Sequence, residues 1–121
     1  LVLDTELRWT ILERLSALGV LDADTLDAHA AQDTTSAGAA HAATCRALRP
    51  DQESKQLAWD AMFHGSGRSN YELFATARGF WHPLQEEQTA GFLEQYFRDV
   101  AGLRTTCSGW ATGIGWAVRW W

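Results

Sequence analysis

The chain has 121 residues, 46% of them hydrophobic and 21% charged, a balance typical of one globular domain with its own core. Its formal net charge of −5 repels phosphate backbones and anionic lipid surfaces, so we expect neither nucleic acid nor a membrane as a partner. Two cysteines far apart, Cys45 and Cys107, favour reduced thiols and a cytoplasmic location, with one disulfide left open as the alternative.

The first predicted helix is amphipathic. Asp4 can cap it, and Gly19 can supply the left-handed turn that ends it. Its apolar residues at helical spacing are Leu7, Ile11, Leu15 and Leu18. The spacing predicts that these four side chains form the face that packs on the core.

Two further helices are predicted before residue 50. Asp22 can cap a helix that runs to about Gln32. The stretch 33–36 then reads as a break and a new cap, and an alanine-rich helix follows to about Leu48. Pro50 prevents that helix from continuing. The small side chains of this segment predict that neighbouring helices approach it closely.

The fourth and fifth helices are each predicted from a cap. Asp51 can cap the fourth helix, which ends at the turn 64–67. Its inward residues are predicted to be Ala58, Trp59, Met62 and Phe63. Ser69 and Asn70 can cap the fifth helix, and Pro83 ends it. Its residues at helical spacing are Leu73, Ala77, Phe80 and Trp81.

After Pro83 the pattern predicts one long helix with Glu86 and Glu87 in its first turn. Its core stripe is predicted to be Phe92, Leu93, Tyr96, Phe97 and Val100. A glycine-interrupted segment rich in tryptophan, Trp110 to Trp121, follows. We interpret it as a terminal helix that closes the core, and the alternative is an exposed docking or membrane-surface segment.

The fold class predicted from these elements is all-α, because no segment alternates apolar and polar residues with the period of a strand. Helix and turn units recur every 30 to 50 residues or so, as in HEAT-type repeats. We therefore expect a single domain over residues 1–121, an array of antiparallel helix pairs (a HEAT- or armadillo-like α-solenoid fragment) with about six to seven helices.

Four stretches carry a resemblance to a known family. They are Leu3 to Trp9, His41 to Ala47, Lys55 to Trp59 and Ser69 to Pro83. Over about residues 3–98 the chain resembles the C-terminal helical domain of bacterial zinc metallopeptidases of the aminopeptidase N family, which is HEAT-like and similar to that of the endoplasmic-reticulum aminopeptidases. The resemblance implies that the chain is the C-terminal part of a larger multidomain protein.

The resemblance lies in the accessory region of that family. A zinc aminopeptidase needs a His-Glu-x-x-His motif and a downstream glutamate, and neither that motif nor a Gly-x-Met-Glu-Asn motif occurs in these 121 residues. We therefore expect no catalytic residue, zinc ligand or cofactor in this chain, and zinc in a catalytic domain upstream. The resemblance implies that the chain docks on that catalytic domain, and shapes and gates the chamber that admits peptide substrates.

Four arginines are the candidate site for contact with a peptide, because guanidinium groups suit a peptide carboxylate. They are Arg46, Arg49, Arg68 and Arg78. The alternative for each is a solvated surface charge. The alternative for the whole chain is a free-standing helical-repeat module that binds a protein or peptide and has no enzymatic parent.

The sequence also offers candidates for a metal site and for a nucleophile. His41 and Cys45 lie one helical turn apart, as do His29 and Asp33, so four metal ligands could converge, but packing between helices is the stronger interpretation. A nucleophilic cysteine needs a nearby base and a lowered pKa, and we interpret Cys45 and Cys107 as buried core residues instead. Ser66 and Ser69 lie near His64 but lack a nucleophile-elbow motif, so we interpret them as turn and cap residues.

Overall fold

The structure, a computed structural model, describes residues 4–64 and 68–103. These residues form seven α-helices and one 3-10 turn, and they contain no strand, so the predicted all-α class is confirmed. The helices are α1 (Thr5–Ala17), α2 (Ala23–Gln32), α3 (Ser36–Leu48), α4 (Gln52–Phe63), α5 (Asn70–Phe80), α6 (Glu86–Thr89) and α7 (Phe92–Leu103). None of these helices is both long and apolar enough to cross a membrane. The arrangement as a HEAT-like array of pairs stays a prediction.

Side-chain caps begin four of these helices where the sequence predicts them. Each cap oxygen accepts a hydrogen bond from the backbone amide three residues on, and the caps are Asp22, Thr35, Asp51 and Ser69. Ser69 and Glu72 form a reciprocal capping box. Asp4 stands at the start of α1, but its side chain makes no cap hydrogen bond. Gly19 has φ of +73°, the left-handed turn expected after α1.

The core divides into two clusters that share α3. One cluster surrounds the fully buried Trp9, and its members are Trp9, Leu12, Leu21, Leu26, Ala42 and Cys45. The other surrounds the fully buried Trp59, and its members are Ala47, Ala58, Trp59, Met62, Phe63, Ala77, Phe80, Trp81, Phe92 and Tyr96. Because α3 supplies residues to both clusters, it is the central helix of the described fold.

Each central tryptophan donates its indole N–H to a carboxylate at the edge of its cluster. The Nε1 of Trp9 lies 2.8 Å from Oδ2 of Asp33, and the Nε1 of Trp59 lies 3.1 Å from Oδ2 of Asp99. A buried indole needs such a partner. These bonds tie the end of α2 to α1, and α7 to α4.

Helices α3 and α5 pack closely against each other at Gly79. A Cβ placed on Gly79 would lie 2.5 Å from the carbonyl oxygen of Thr44 and 3.0 Å from the Cβ of Ala47. The Thr44 hydroxyl also donates to the carbonyl oxygen of Ala75 at 3.1 Å. Only glycine fits at position 79 without moving α3.

A buried lysine joins three elements at the centre of the molecule. Lys55 is fully buried, and its Nζ donates to the carbonyl oxygens of Ala47 (2.6 Å) and Phe80 (3.3 Å) and to Oε1 of Gln85 (2.6 Å). Carbonyls at the end of a helix have no partner within it, so Lys55 satisfies acceptors that α3 and α5 would otherwise leave bare.

Gln85 extends the same network to a fourth element. Its Nε2 donates to the carbonyl oxygens of Leu48, at 2.6 Å, and Ala17, at 3.1 Å. The C-terminal ends of α1, α3 and α5 are therefore tied together through one side-chain pair.

The predicted core face of α1 is wrong. Trp9, Leu12 and Ser16 are the buried residues of this helix. Leu7, Ile11 and Leu18 are 49%, 41% and 72% exposed, and Leu15 is half-buried against the core. Helical spacing alone cannot choose between two apolar faces, and the larger side chain of Trp9 with its bond to Asp33 determines which one points inward.

The predicted long last helix is interrupted. A 3-10 turn, Pro83–Gln85, precedes the short α6, and α7 begins at Phe92 after Gly91. The 3-10 turn places the side chain of Gln85 in the core. Gly91 favours the second break, because glycine is a poor helix former.

Two of the five residues in the predicted stripe on α7 pack inward. Phe92 and Tyr96 are buried, whereas Leu93 and Phe97 are exposed. The side chain of Val100, and the Trp-rich segment from Trp110 to Trp121, lie outside the described residues.

We expect Gly79→Ala to lower the free energy of unfolding by about 1–3 kcal/mol, because the added Cβ collides with the α3 backbone. Gly91→Ala is the matched control, since a Cβ there meets no atom within 4 Å. That control should change stability by no more than about 1 kcal/mol, in the stabilising direction. Urea unfolding followed by circular dichroism measures both. Equal effects would contradict the close packing.

We expect Lys55→Met to cost roughly 3 kcal/mol or more, because three buried acceptors are left unpaired at about 1–3 kcal/mol each. Gln56→Met is the control, since Gln56 is exposed and, among residues 4–64 and 68–103, its side chain bonds only to Asp60 on its own helix. It should stay within about 0.5 kcal/mol of the parent chain. The measurement is again the unfolding free energy at pH 7.

Burial lowers the pKa of Lys55 from 10.5 to about 8, with Asp51 opposing the shift. Between these values the unfolded chain binds a proton that the folded chain has released, so the contribution of Lys55 to stability rises with pH. Burial raises the pKa of Cys45 to about 12, so above pH 9 the contribution of Cys45 to stability falls with pH. This contribution is the same in both variants and cancels in their difference. We therefore expect the stability difference between the parent chain and Lys55→Met to grow from pH 8 to 10.5. A difference that shrinks would contradict the assignment.

Candidate functional site

A groove of about 500 Å³ opens between α2, α3 and α4. Ala43 and Ala47 of α3 contribute to its lining, and Leu26 of α2 and Leu57 of α4 add larger apolar side chains. Leu57 is 63% exposed, so a hydrophobic surface is presented to solvent inside the groove. The small residues of the central helix leave this space, because larger side chains at those positions would fill it.

Three of the four candidate arginines line this one groove. Arg46 comes from α3, Arg49 from the turn after it, and Arg68 from the residues just before α5. Arg78 lies elsewhere, on α5, with Nη2 3.8 Å from Oε1 of Glu13. The structure therefore brings Arg46, Arg49 and Arg68 together and separates Arg78 from them.

Two of the groove arginines are paired with carboxylates. Arg46 Nη2 lies 3.0 Å from Oδ1 of Asp27, and Arg49 Nε lies 3.6 Å from Oδ1 of Asp51. Burial disfavours the charged form of Asp51, but hydrogen bonds from Ser54, with the charge of Arg49, hold its pKa below the usual value. Ion pairs this exposed contribute little to stability, so a ligand can exchange with them at low cost.

Arg68 differs from the other two arginines. It is exposed, it lines the groove, and within residues 4–64 and 68–103 it forms neither an ion pair nor a hydrogen bond. Its guanidinium is the cation in the groove best placed to receive a carboxylate from a ligand. Glu53 lines the same groove as an exposed negative charge. The groove thus offers charges of both signs around an apolar surface, a combination that suits a segment of peptide.

The residues weighed as metal ligands do not converge. His41 Nδ1 lies 2.9 Å from Oε1 of Glu13, and its Nε2 lies 3.4 Å from Oε2 of Glu6. Its ring stacks on Trp9 with centroids 5.5 Å apart. Asp33 accepts from Trp9. In the described ranges, no three His, Cys, Asp or Glu side chains are arranged to hold a metal ion, so these residues do not fit a zinc site.

Cys45 is a free, fully buried thiol in the core. Burial raises its pKa to about 12, and the neighbouring Ser16 hydroxyl offsets this only in part. A thiol that stays protonated at neutral pH is a poor nucleophile. Ser69 acts as the cap of α5, while Ser66 and Cys107 lie outside the described residues.

Sequence reasoning missed Lys55 and the apolar wall of the groove. Lys55, Trp59 and Met62 lie at positions i, i+4 and i+7 of α4, a spacing that indicates that Lys55 shares the buried face of the helix with the two apolar residues. Leu57 gives no such signal, because an exposed leucine on a helix is common.

Two comparisons with known proteins bear on this chain. Residues 1–114 match the family described as ERAP1-like C-terminal domain. Aminopeptidase N from Streptomyces lividans is 38% identical over 108 residues, which cover 87% of this chain and 13% of that protein. The chain therefore spans a small fraction of the length of this curated relative.

Proposed function

This chain belongs to the ERAP1-like C-terminal domain family, and from that premise we propose that it is the non-catalytic C-terminal domain of a zinc aminopeptidase. The domain would shape and gate the chamber through which peptide substrates reach the catalytic domain of the same polypeptide. The similarity to an aminopeptidase N supports this assignment. The observation that carries the role in substrate contact is the groove in which Arg46, Arg49 and Arg68 meet.

Catalysis would take place outside these residues. The 121 residues contain no His-Glu-x-x-His motif, so the zinc-activated water that hydrolyses the N-terminal peptide bond would belong to the catalytic domain.

Within the groove, we assign Arg68 to the carboxylate of a peptide that enters the chamber. The exposed Leu57 provides apolar surface for one of its side chains. Arg46 and Arg49 form ion pairs with Asp27 and Asp51. They add positive charge to the edge of the groove, but they would contact the peptide carboxylate less readily than Arg68. Because the contact is remote from the reacting bond, it would act on substrate affinity more than on the chemical step.

We expect Arg68→Ala, in the complete enzyme, to raise KM about tenfold for a peptide with a free C-terminal carboxylate, since a charge-assisted hydrogen bond is worth about 1.5–3 kcal/mol. The same peptide with an amidated C-terminus, and a single-residue chromogenic substrate, should be affected little. The measurement is a set of steady-state kinetic constants for the three substrates.

Arg78→Ala is the matched control, because it removes the same chemistry from a position outside the groove. The proposed contact is wrong if the two variants have the same effect on the free and amidated peptides. The proposed function as a whole is wrong if the natural polypeptide that contains this chain has no aminopeptidase activity.

A further inference from the structure

Helix α1 has apolar side chains on two opposite faces. Trp9, Leu12 and Ser16 face the core and are buried. Leu7, Ile11 and Leu18 lie on the opposite side of the helix and are exposed. Leu7 and Ile11 are one turn apart, and Leu18, the C-cap of α1, follows two turns later, so the three residues span about 16 Å of the outer side at 1.5 Å per residue. We call these three residues the outer stripe of α1.

A helix with two apolar faces normally lies between two neighbours. The central helix α3 shows this arrangement, since it contacts α1 and α2 as well as α4 and α5. Helix α1, in contrast, packs against α3 through its inner face, and its outer stripe remains 41–72% exposed among the described residues. A helix at the free end of a helical array has a polar outer face, because that face meets water.

The charges beside the outer stripe restrict what can pack on it. Asp4 lies near the first end of the stripe, one turn before Leu7, and Arg14 lies between Ile11 and Leu18; both are exposed. A facing helix with an aliphatic stripe would therefore be complementary if it carried a basic residue opposite Asp4 and an acidic residue opposite Arg14.

We propose that the outer stripe of α1 is the seat of an amphipathic helix from the remainder of a longer aminopeptidase polypeptide. This inference rests on the proposed function, and it specifies the face through which the domain joins the rest of the enzyme. The length of the relative supports that occupant, since this chain corresponds to only 13% of it. The same feature argues against a free-standing module, whose outermost helix would be polar on its outer side.

The test is the rate of thiol labelling in the natural polypeptide, with Cys107→Ser as the background and Cys45 fully buried. Ile11→Cys and Leu7→Cys place a small thiol in the outer stripe. Leu84→Cys is the control, because Leu84 is 88% exposed on the 3-10 turn. Labelling in the stripe should be about tenfold or more slower than at the control, since it requires local opening, and all rates should converge in denaturant.

Each other outcome is decisive. If Ile11→Cys and Leu84→Cys label at similar rates in an enzyme that retains aminopeptidase activity, the docking inference is wrong and the proposed function stands. If protection is lost on dilution, the occupant is a second copy and the inference is wrong. If the natural polypeptide lacks aminopeptidase activity and contains no further helices, both fail.

Discussion

The fold depends on one buried ammonium group. Lys55 has three hydrogens to donate, and it meets three acceptors: the carbonyls of Ala47 and Phe80 and the side chain of Gln85. Burial lowers its pKa only to about 8, so the group is still charged at neutral pH and forms charge-assisted bonds to the helix ends. Since Ala47 also lines the groove, the same bond that closes the core fixes the relation between α3 and α4 on which the groove depends.

The parts of the fold that could be predicted from the sequence are those set by local chemistry. A cap such as Asp51 or Ser69 needs only its own helix start, so the bounds of α2 to α5 follow closely from the sequence. The choice of the buried face of α1 requires knowledge of what lies on each side. Leu7 and Trp9 belong to apolar faces of the same helix, and only the tertiary partner Asp33 distinguishes them. The break before α7 depends in the same way on Gln85, whose acceptors lie far away in sequence.

The candidate site likewise contains a part that the sequence implies and a part that depends on tertiary packing. Arg46 and Arg49 are three residues apart, so their proximity is implied by the chain itself. Arg68 reaches the groove only because α4 and α5 both pack against α3, which no local pattern shows. Arg78 lies on a helix, as Arg46 does, yet it pairs with Glu13 outside the groove. Residue type alone therefore does not indicate which of the four arginines share the groove.

The contact between α3 and α5 has a consequence for the entropy of the domain. Gly79, Ala47 and Thr44 meet there with almost no rotatable side-chain bonds between them. Folding this interface freezes few rotamers, and the native state retains few alternative packings. The lining that α3 provides should therefore be rigid, so the peptide that we propose to bind there would lose its own freedom without also having to order the surface beneath it.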